Sequence, residues 1–394
     1  MKTASLHSMP LANQSPPHRP AKIPNPHYWL SALFAVLLIP ALRSQHLPLK
    51  FDWITLSVAY WLILAAQSIF VAALLSLIGL PHERVLSPLL SRYRNAPIRI
   101  PAVAIFFLIL IFTTSGLKAI VLTVDAVALL ELLERNQSQR RQSLLAVLAP
   151  AAYFFFGFLL VLAYNSVIAS ARYPFAADPV LFSIDRWLLH GHSVSDLAQW
   201  AVQSLPLGFL RALELIYFGM FFQIGATIII VALSNGKTEA LRFVGTILTS
   251  YYLALILFYV WTAKGPYYLL PTDTSHLSAS LQTYSIQRTL IEHALARWHH
   301  EPLARISADY FIALPCMHIV QPLIVLWFMR RWRRIALVLA AYDAVLLAAI
   351  LLLEWHYVID ILVGVLVAAC AILIAAGTLF RESHTNPASA GVLR

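Results

Sequence analysis

The chain has 394 residues, of which 60% are hydrophobic and only 12% are charged, and its mean hydropathy is +0.74. This composition excludes a water-soluble globular protein, because no single core could bury so much apolar surface. A formal net charge of +10 is compatible with nucleic-acid binding. However, Lys and Arg cluster beside the apolar runs, where cytoplasmic loops and lipid headgroups lie. We therefore predict an integral membrane protein that binds no nucleic acid.

The apolar runs indicate helices rather than the strands of a β-barrel. Several runs reach the roughly 20 residues that a helix needs to cross a bilayer, and they do not alternate as barrel strands do. The predicted fold class is all-α and polytopic, with about nine transmembrane helices. In chain order, they lie near residues 28–43, 53–80, 102–121, 144–169, 209–233, 241–262, 311–329, 335–353 and 357–380.

The chain divides near Arg141. Residues 1–26 contain six Pro and lack the apolar core of a signal peptide, so they are predicted to be a disordered tail. Residues 27–141 form an accessory transmembrane region, residues 142–381 a six-helix core that carries the marked polar residues, and residues 382–394 a second tail. The stretch 102–133 is too long for one span and too short for two. It is either a span with an interfacial helix or a tight hairpin.

Basic residues orient the spans. The hinge RRWRR at 330–334 and the pair at 140–141 are predicted to be cytoplasmic by the positive-inside tendency. Counting spans from these markers places four ends on the opposite, extracytoplasmic face, near Ala169, Trp261, Tyr310 and Glu354. The same count puts the basic loop 84–99 outside, and a hairpin at 102–133 would remove this conflict.

Two histidines are predicted at the same membrane depth on that face. His318 lies at the start of one span, and His356 and Asp360 lie at the start of the last. Residues four apart share a helix face, so Asp360 is predicted to accept a hydrogen bond from one ring nitrogen of His356 while the other nitrogen reacts. Ionisable groups at this depth mark functional sites by default. The alternative interpretation is that each histidine is an interfacial anchor.

The sequence gives no indication of a metal or cofactor site. Cys316 and Cys370 lack ligand-like spacing, so neither a disulfide framework nor a zinc site is supported. The histidines of IEHALARWHHE at 291–301 have no carboxylate or thiol cluster nearby in the sequence and favour a surface helix under the headgroups. We predict neither a metal nor a cofactor.

Three motifs together resemble the type 2 phosphatidic acid phosphatase superfamily. PCMH at 315–318 resembles its P-S-x-H motif, and HYVID at 356–360 resembles its H-x-x-x-D motif. The H-Y-x-x-D form followed by Gly364 is most similar to the inositol phosphorylceramide synthase and sphingomyelin synthase branches. In the inositol phosphorylceramide synthase branch, a D-x-x-L-x-x-I-D-x-x-L-x-x-G stretch precedes the core, and DPVLFSIDRWLLHG at 178–191 resembles it. Residues 178–204 otherwise indicate an interfacial helix that lines a lipid path, or structural packing.

The resemblance implies phosphoryl transfer through a phosphohistidine, with membrane lipids as substrates and without a metal. His356 would be the nucleophile, Asp360 its orienting carboxylate, and His318 the general acid. Three departures are clear: Cys316 replaces the Ser of P-S-x-H, Ile350 stands where phosphatase members have Arg, and KGPYYLLP at 264–271 keeps the Lys and a nearby Pro of the K-x6-R-P motif without its Arg.

Cations are expected to bind the phosphate oxygens. Lys264, in KGPYYLLP at 264–271, is the first candidate, although a snorkelling anchor is an equal alternative. The other candidates are Arg288, Arg297 and Arg305, in the loop before His318.

The predicted activity is lipid phosphotransfer to an acceptor hydroxyl, at the extracytoplasmic face of a bacterial inner membrane. The alternatives are a lipid phosphate or prenyl diphosphate phosphatase, and a non-catalytic lipid-binding or transport protein. The sequence indicates no oligomeric state.

Overall fold

The computed structural model describes residues 26–44, 137–172, 176–270, 277, 280–298 and 312–383. The predictions for the terminal tails, for most of the accessory region, for the spans near 53–80 and 102–121, and for the stretch 102–133 lie outside these residues. Within the described ranges every regular element is a helix, as predicted. The helices are α1 (Pro26–Ser44), α2 (Gln137–Ala171), α3 (Asp178–Leu188), α4 (Val194–Ser204), α5 (Leu207–Asn235), α6 (Lys237–Val260), α7 (Pro266–Leu269), α8 (Gln282–Trp298), α9 (Met317–Met329), α10 (Arg333–Leu352) and α11 (Val358–Ser383).

Four of the described helices are long and apolar enough to cross a bilayer. Their apolar segments are Val147–Ala169, Lys237–Val260, Arg333–Leu352 and Val358–Ala376. Helix α5 adds a fifth if its two halves, which bend by 41°, form one span. These five correspond to spans predicted from the apolar runs, but the count of nine is not confirmed.

Two further predicted spans have apolar helical segments that are shorter than the other spans. The apolar part of α1 is His27–Leu38. The run 311–329 becomes helical only at Met317, because residues 312–316 form a non-helical segment before α9. That segment contributes to the site described below.

Helix α6 is the centre of the bundle. It packs against α2, α5, α9 and α11, and the side chains of Phe243, Ile247, Tyr251 and Phe258 on it are fully buried. Helices α10 and α11 leave more of their apolar surface exposed, including Leu337 and Leu366. Exposed apolar side chains on long helices fit contact with lipid.

The chain reverses direction at two short connections at one end of the bundle. Gly236, with φ of 86°, joins α5 to α6, and this positive φ favours glycine. The basic turn 330–332 joins α9 to α10. The guanidinium Nη2 of Arg331 in this turn lies 3.7 Å from Oε1 of Glu239 at the start of α6. Helix α9 begins, and helix α10 ends, at the opposite end of the bundle. The segments 261–265, 312–316 and 353–357 all meet there.

Candidate active site

Two non-helical segments meet where α9 and α11 begin. The Cys316 amide donates to the carbonyl of Asp360 at 3.0 Å. Gly364 permits this approach, because a Cβ there would lie only 2.9 Å from the Cys316 carbonyl oxygen. The first turns of α9 and α11 are therefore in backbone contact, and this contact places His318 beside His356.

The imidazoles of His318 and His356 are in direct contact. Nδ1 of His318 lies 3.2 Å from Nε2 of His356, and the ring centroids are 5.3 Å apart at 61°. Both side chains are buried. The predicted convergence of two histidines from separate helices is thus present in the structure. The separation is that of a hydrogen bond, so a phosphate group must part the rings to bind between them.

The second ring nitrogen of His356, Nδ1, faces away from His318 and contacts two acceptors. Nδ1 lies 2.8 Å from the Ala313 carbonyl oxygen and 3.5 Å from Oδ2 of Asp360. A backbone carbonyl only accepts, so Nδ1 carries the proton and Nε2 faces His318. The sequence prediction named Asp360 as this partner on a shared helix face. However, α11 begins at Val358, so His356 precedes the helix and shares no helix face with Asp360. The Ala313 carbonyl is the nearer acceptor of the two.

Asp360 is fully buried at the start of α11. Its Oδ2 accepts the Tyr357 amide at 2.9 Å, and its Oδ1 has no hydrogen-bond partner among the described residues. This carboxylate therefore ties the backbone next to His356 to the helix that follows and places a negative charge beside the ring.

The environment of His356 favours its protonated form. Burial by itself lowers the pKa of the imidazole, but Cys316 and Asp360 outweigh burial and raise the pKa to about 10. A protonated His356 donates from Nε2 to Nδ1 of His318. The pair therefore shares one proton, which lies on His356 in this environment.

Aromatic rings support the pair on the His318 side. Tyr217, on α5, stacks on His318 at a centroid distance of 4.4 Å and on Trp355 at 4.9 Å. Tyr267 then meets Trp355 edge-on at 5.6 Å. No sequence motif distinguished Tyr217 from the other tyrosines of the chain, of which there are 16 in all. The stack limits the orientations open to His318.

Two carboxylates of α3 reach the site from outside the long helices. Asp178 accepts the amides of Lys264 at 3.0 Å and Gly265 at 2.9 Å, and the Tyr357 hydroxyl at 3.1 Å. Asp185 accepts the amides of Val358 at 3.0 Å and Ile359 at 3.2 Å.

These two carboxylates hold the segments on both sides of His356. Burial raises the pKa of Asp178 to about 7 and that of Asp185 to about 6, against the opposing effect of the hydrogen bonds. The motif at 178–191 was visible in the sequence, but it predicted no role for either Asp.

The structure locates two of the four predicted phosphate-binding cations. Lys264 is buried, its ammonium donates to the Leu290 carbonyl, and it lies 5.3 Å from the Tyr268 ring centroid. Arg288 is exposed on α8 and pairs with Glu292 at 3.2 Å. The side chain of Arg297 and all of Arg305 lie outside the described residues. The binding of phosphate by these four residues stays a prediction.

Folding also brings a thiol to the histidine pair. Cys316 is fully buried, and its sulfur and one nitrogen each of His318 and His356 all lie within 4.8 Å of one another. Spacing along the chain gave no sign of this, because 38 residues separate the two histidines.

Comparison with known proteins agrees with this geometry. The family model of the PAP2 superfamily matches residues 180–374, a range that runs from α3 into α11 and contains both histidines and Asp360. The match supports this superfamily for the region that carries the site, and with it an activity of the lipid phosphatase or phosphotransferase kind. No curated protein and no solved structure matches the chain at a significant level.

Proposed function

We propose that the protein is a membrane lipid phosphotransferase that works through a phosphohistidine on His356. The observation that carries the proposal is the buried contact between His318 and His356, at 3.2 Å, with the far nitrogen of His356 anchored to Ala313. An anchored Nδ1–H leaves the lone pair of Nε2 to react, provided that the shared proton lies on His318. A single shared proton thus supplies both forms that the chemistry needs: a neutral nucleophile and a protonated acid.

The first half-reaction forms the phosphohistidine. The phosphate of a lipid donor enters between the rings, Nε2 of His356 attacks phosphorus, and the bond from phosphorus to the leaving oxygen breaks. His318 donates its proton to that oxygen, so the donor leaves as an alcohol rather than as a bare alkoxide. Asp360 stabilises the positive charge that develops on His356, because its carboxylate lies 3.5 Å from Nδ1.

The second half-reaction returns the enzyme to its starting state. An acceptor hydroxyl gives its proton to His318 as its oxygen bonds to phosphorus, and the bond from Nε2 to phosphorus breaks. Hydrolysis differs only in that water replaces the acceptor. We favour an acceptor alcohol because Ile350, which is fully buried, stands where phosphatase members have Arg, and the absence of that Arg fits the synthase-like branch that HYVID resembles.

The position of the site in the bundle supports a lipid substrate at a membrane surface. The histidine pair lies at the start of α9 and α11, at the end of the bundle opposite the basic turn 330–332. By the positive-inside tendency we propose that this turn is cytoplasmic and that the site faces the extracytoplasmic side of a bacterial inner membrane. A phosphate on an acyl or prenyl chain would reach the site within the headgroup layer.

The test uses purified protein with a phospholipid donor such as phosphatidylinositol, with and without an alcohol acceptor. We expect a new phospholipid only when the acceptor is present, and none from His356→Ala. Wild-type turnover in that variant would overturn the assignment of the nucleophile. Release of inorganic phosphate from phosphatidic acid or a prenyl diphosphate would favour the phosphatase alternative, which the family match also supports. A lipid-binding or transport protein would do neither.

A further inference from the structure

The thiol of Cys316 and the two histidines form a set of metal donors. The three donor atoms lie within 4.8 Å of one another, and all three residues are buried. Zinc binds Cys sulfur at about 2.3 Å and His nitrogen at about 2.0–2.1 Å, so two nitrogens on a tetrahedral zinc lie about 3.4 Å apart. Nδ1 of His318 and Nε2 of His356 are 3.2 Å apart. The two rings therefore already have nearly the separation that a shared zinc ion requires.

The contacts behind the rings also fit a metal site. Histidines that bind a metal usually donate their other ring N–H to a backbone carbonyl or carboxylate, which fixes the tautomer. His356 has this arrangement, with Nδ1 on the Ala313 carbonyl and near Asp360. The stack on Tyr217 restrains the His318 ring. To bind one ion, the rings need to tilt so that both nitrogens face the ion rather than each other.

The cysteine makes the donor set specific to this chain. In the P-S-x-H motif that PCMH resembles, the residue at position 316 is Ser, and a neutral hydroxyl is a weak zinc ligand. A thiolate is a strong one, and Zn²⁺ accepts both Cys sulfur and His nitrogen as ligands. Three protein ligands also leave the fourth position of a tetrahedral ion open.

We infer that Cys316, His318 and His356 bind Zn²⁺ and that this ion inhibits phosphotransfer. Zinc would take the lone pair of Nε2 that must attack phosphorus, so metal binding and formation of the phosphohistidine exclude each other. Binding of the ion stands on the donor geometry alone, whereas inhibition rests on the proposed function.

Direct binding tests the site without any need for turnover. The full-length protein, stripped of metal in detergent, is titrated with Zn²⁺ against a chromophoric chelator. We expect one Zn²⁺ whose affinity falls in Cys316→Ser by at least the 10- to 100-fold that loss of an outer-shell partner costs. Cys370→Ser, which removes the exposed thiol, should bind like the wild type. Equal affinity in Cys316→Ser and wild type would overturn the inference.

Cobalt spectroscopy covers the case in which Cys316→Ser does not fold. In Cys370→Ser, Cys316 is the sole thiol of the chain, so a thiolate-to-Co²⁺ charge-transfer band can come only from it. Such a band supports the site, and its absence overturns it.

Activity measurements then separate the two proposals. If Zn²⁺ binds at Cys316 and inhibits transfer reversibly, with chelator restoring activity, both stand. Zinc binding in a protein that transfers and hydrolyses no lipid phosphate would leave the metal site and sink the proposed function. Transfer by a protein that binds no zinc would support the proposed function and overturn the metal site. Transfer that bound zinc does not slow would refute the inhibition.

Discussion

Asp185 provides the sharpest test of how the fold positions the nucleophile. Its carboxylate accepts the amides of Val358 and Ile359, the first residues of α11, which have no partner within their own helix. Asp185→Ala removes both acceptors. An unsatisfied buried amide costs about 1–3 kcal/mol, and both residues are only partly buried, so we take the low end, about 2 kcal/mol in total.

This free energy acts on the segment that carries His356, two residues before Val358. If all of this free energy, about 2 kcal/mol, adds to the activation free energy of transfer, kcat falls about 30-fold, since 1.36 kcal/mol corresponds to a factor of ten. We expect the loss to appear in kcat with KM nearly unchanged, because both carboxylate oxygens of Asp185 accept the backbone amides of Val358 and Ile359. Asp185→Asn keeps one acceptor oxygen and should lose less. The assay is turnover of a phospholipid donor, with the thermal midpoint measured in parallel.

Ser183→Ala is the matched control on the same helix, because that hydroxyl is exposed and bonds only to the Pro179 carbonyl. It should behave like the wild type. Wild-type kcat in a folded Asp185→Ala protein would refute the positioning role. A rise in KM without a fall in kcat would instead mean that Asp185 acts on substrate binding.

Three further predictions concern the protons of the site. His318→Ala should slow transfer by about 10²–10⁴-fold with an ordinary lipid alcohol as the leaving group, but much less with a nitrophenyl ester, whose leaving group needs no proton; equal losses would contradict its role as the acid. The profile of kcat/KM against pH should be bell-shaped, and Asp360→Asn should move its alkaline limb to lower pH, because the carboxylate raises the pKa of His356; a flat profile between about pH 5 and 8 would count against a histidine pair. Burial raises the pKa of Asp178 from 3.8 to about 7, so the stability it contributes is complete below its unfolded pKa and is lost as pH rises through about 7. Asp178→Asn should therefore flatten the fall in thermal midpoint over that range, and an unchanged slope would disprove the assignment.

Hydropathy and short motifs predicted the parts of the molecule that depend on local sequence. Long apolar runs predicted α2, α6, α10 and α11, because a membrane-spanning helix needs little more than length and low charge. The motif spacing identified His318, His356 and Asp360, which the structure brings together. Both predictions use residues that are close in sequence or belong to a recognisable pattern.

Contacts between distant residues could not be predicted in the same way. The run 311–329 is largely apolar, yet residues 312–316 are not helical, because the Cys316 amide bonds to Asp360 rather than within a helix. The carbonyl of Ala313 accepts the hydrogen bond from His356. Every residue has a backbone carbonyl, so the sequence does not indicate which one serves as this acceptor. Tyr217 looks like any aromatic residue of a span. These features depend on how α5, α9 and α11 pack.

The aspartates of α3 show a case between these two. The spacing of Asp178 and Asp185 was visible, and seven residues place two side chains on one face of a helix two turns long. What their oxygens would meet was not visible, because the amides that they accept lie 86 and 173 residues further along the chain. Apolar helices cannot supply such acceptors without placing a carboxylate inside the membrane, which is costly. A short helix outside the spans can supply them, and the match to the PAP2 superfamily, which begins at residue 180 within α3, includes Asp185 but not Asp178.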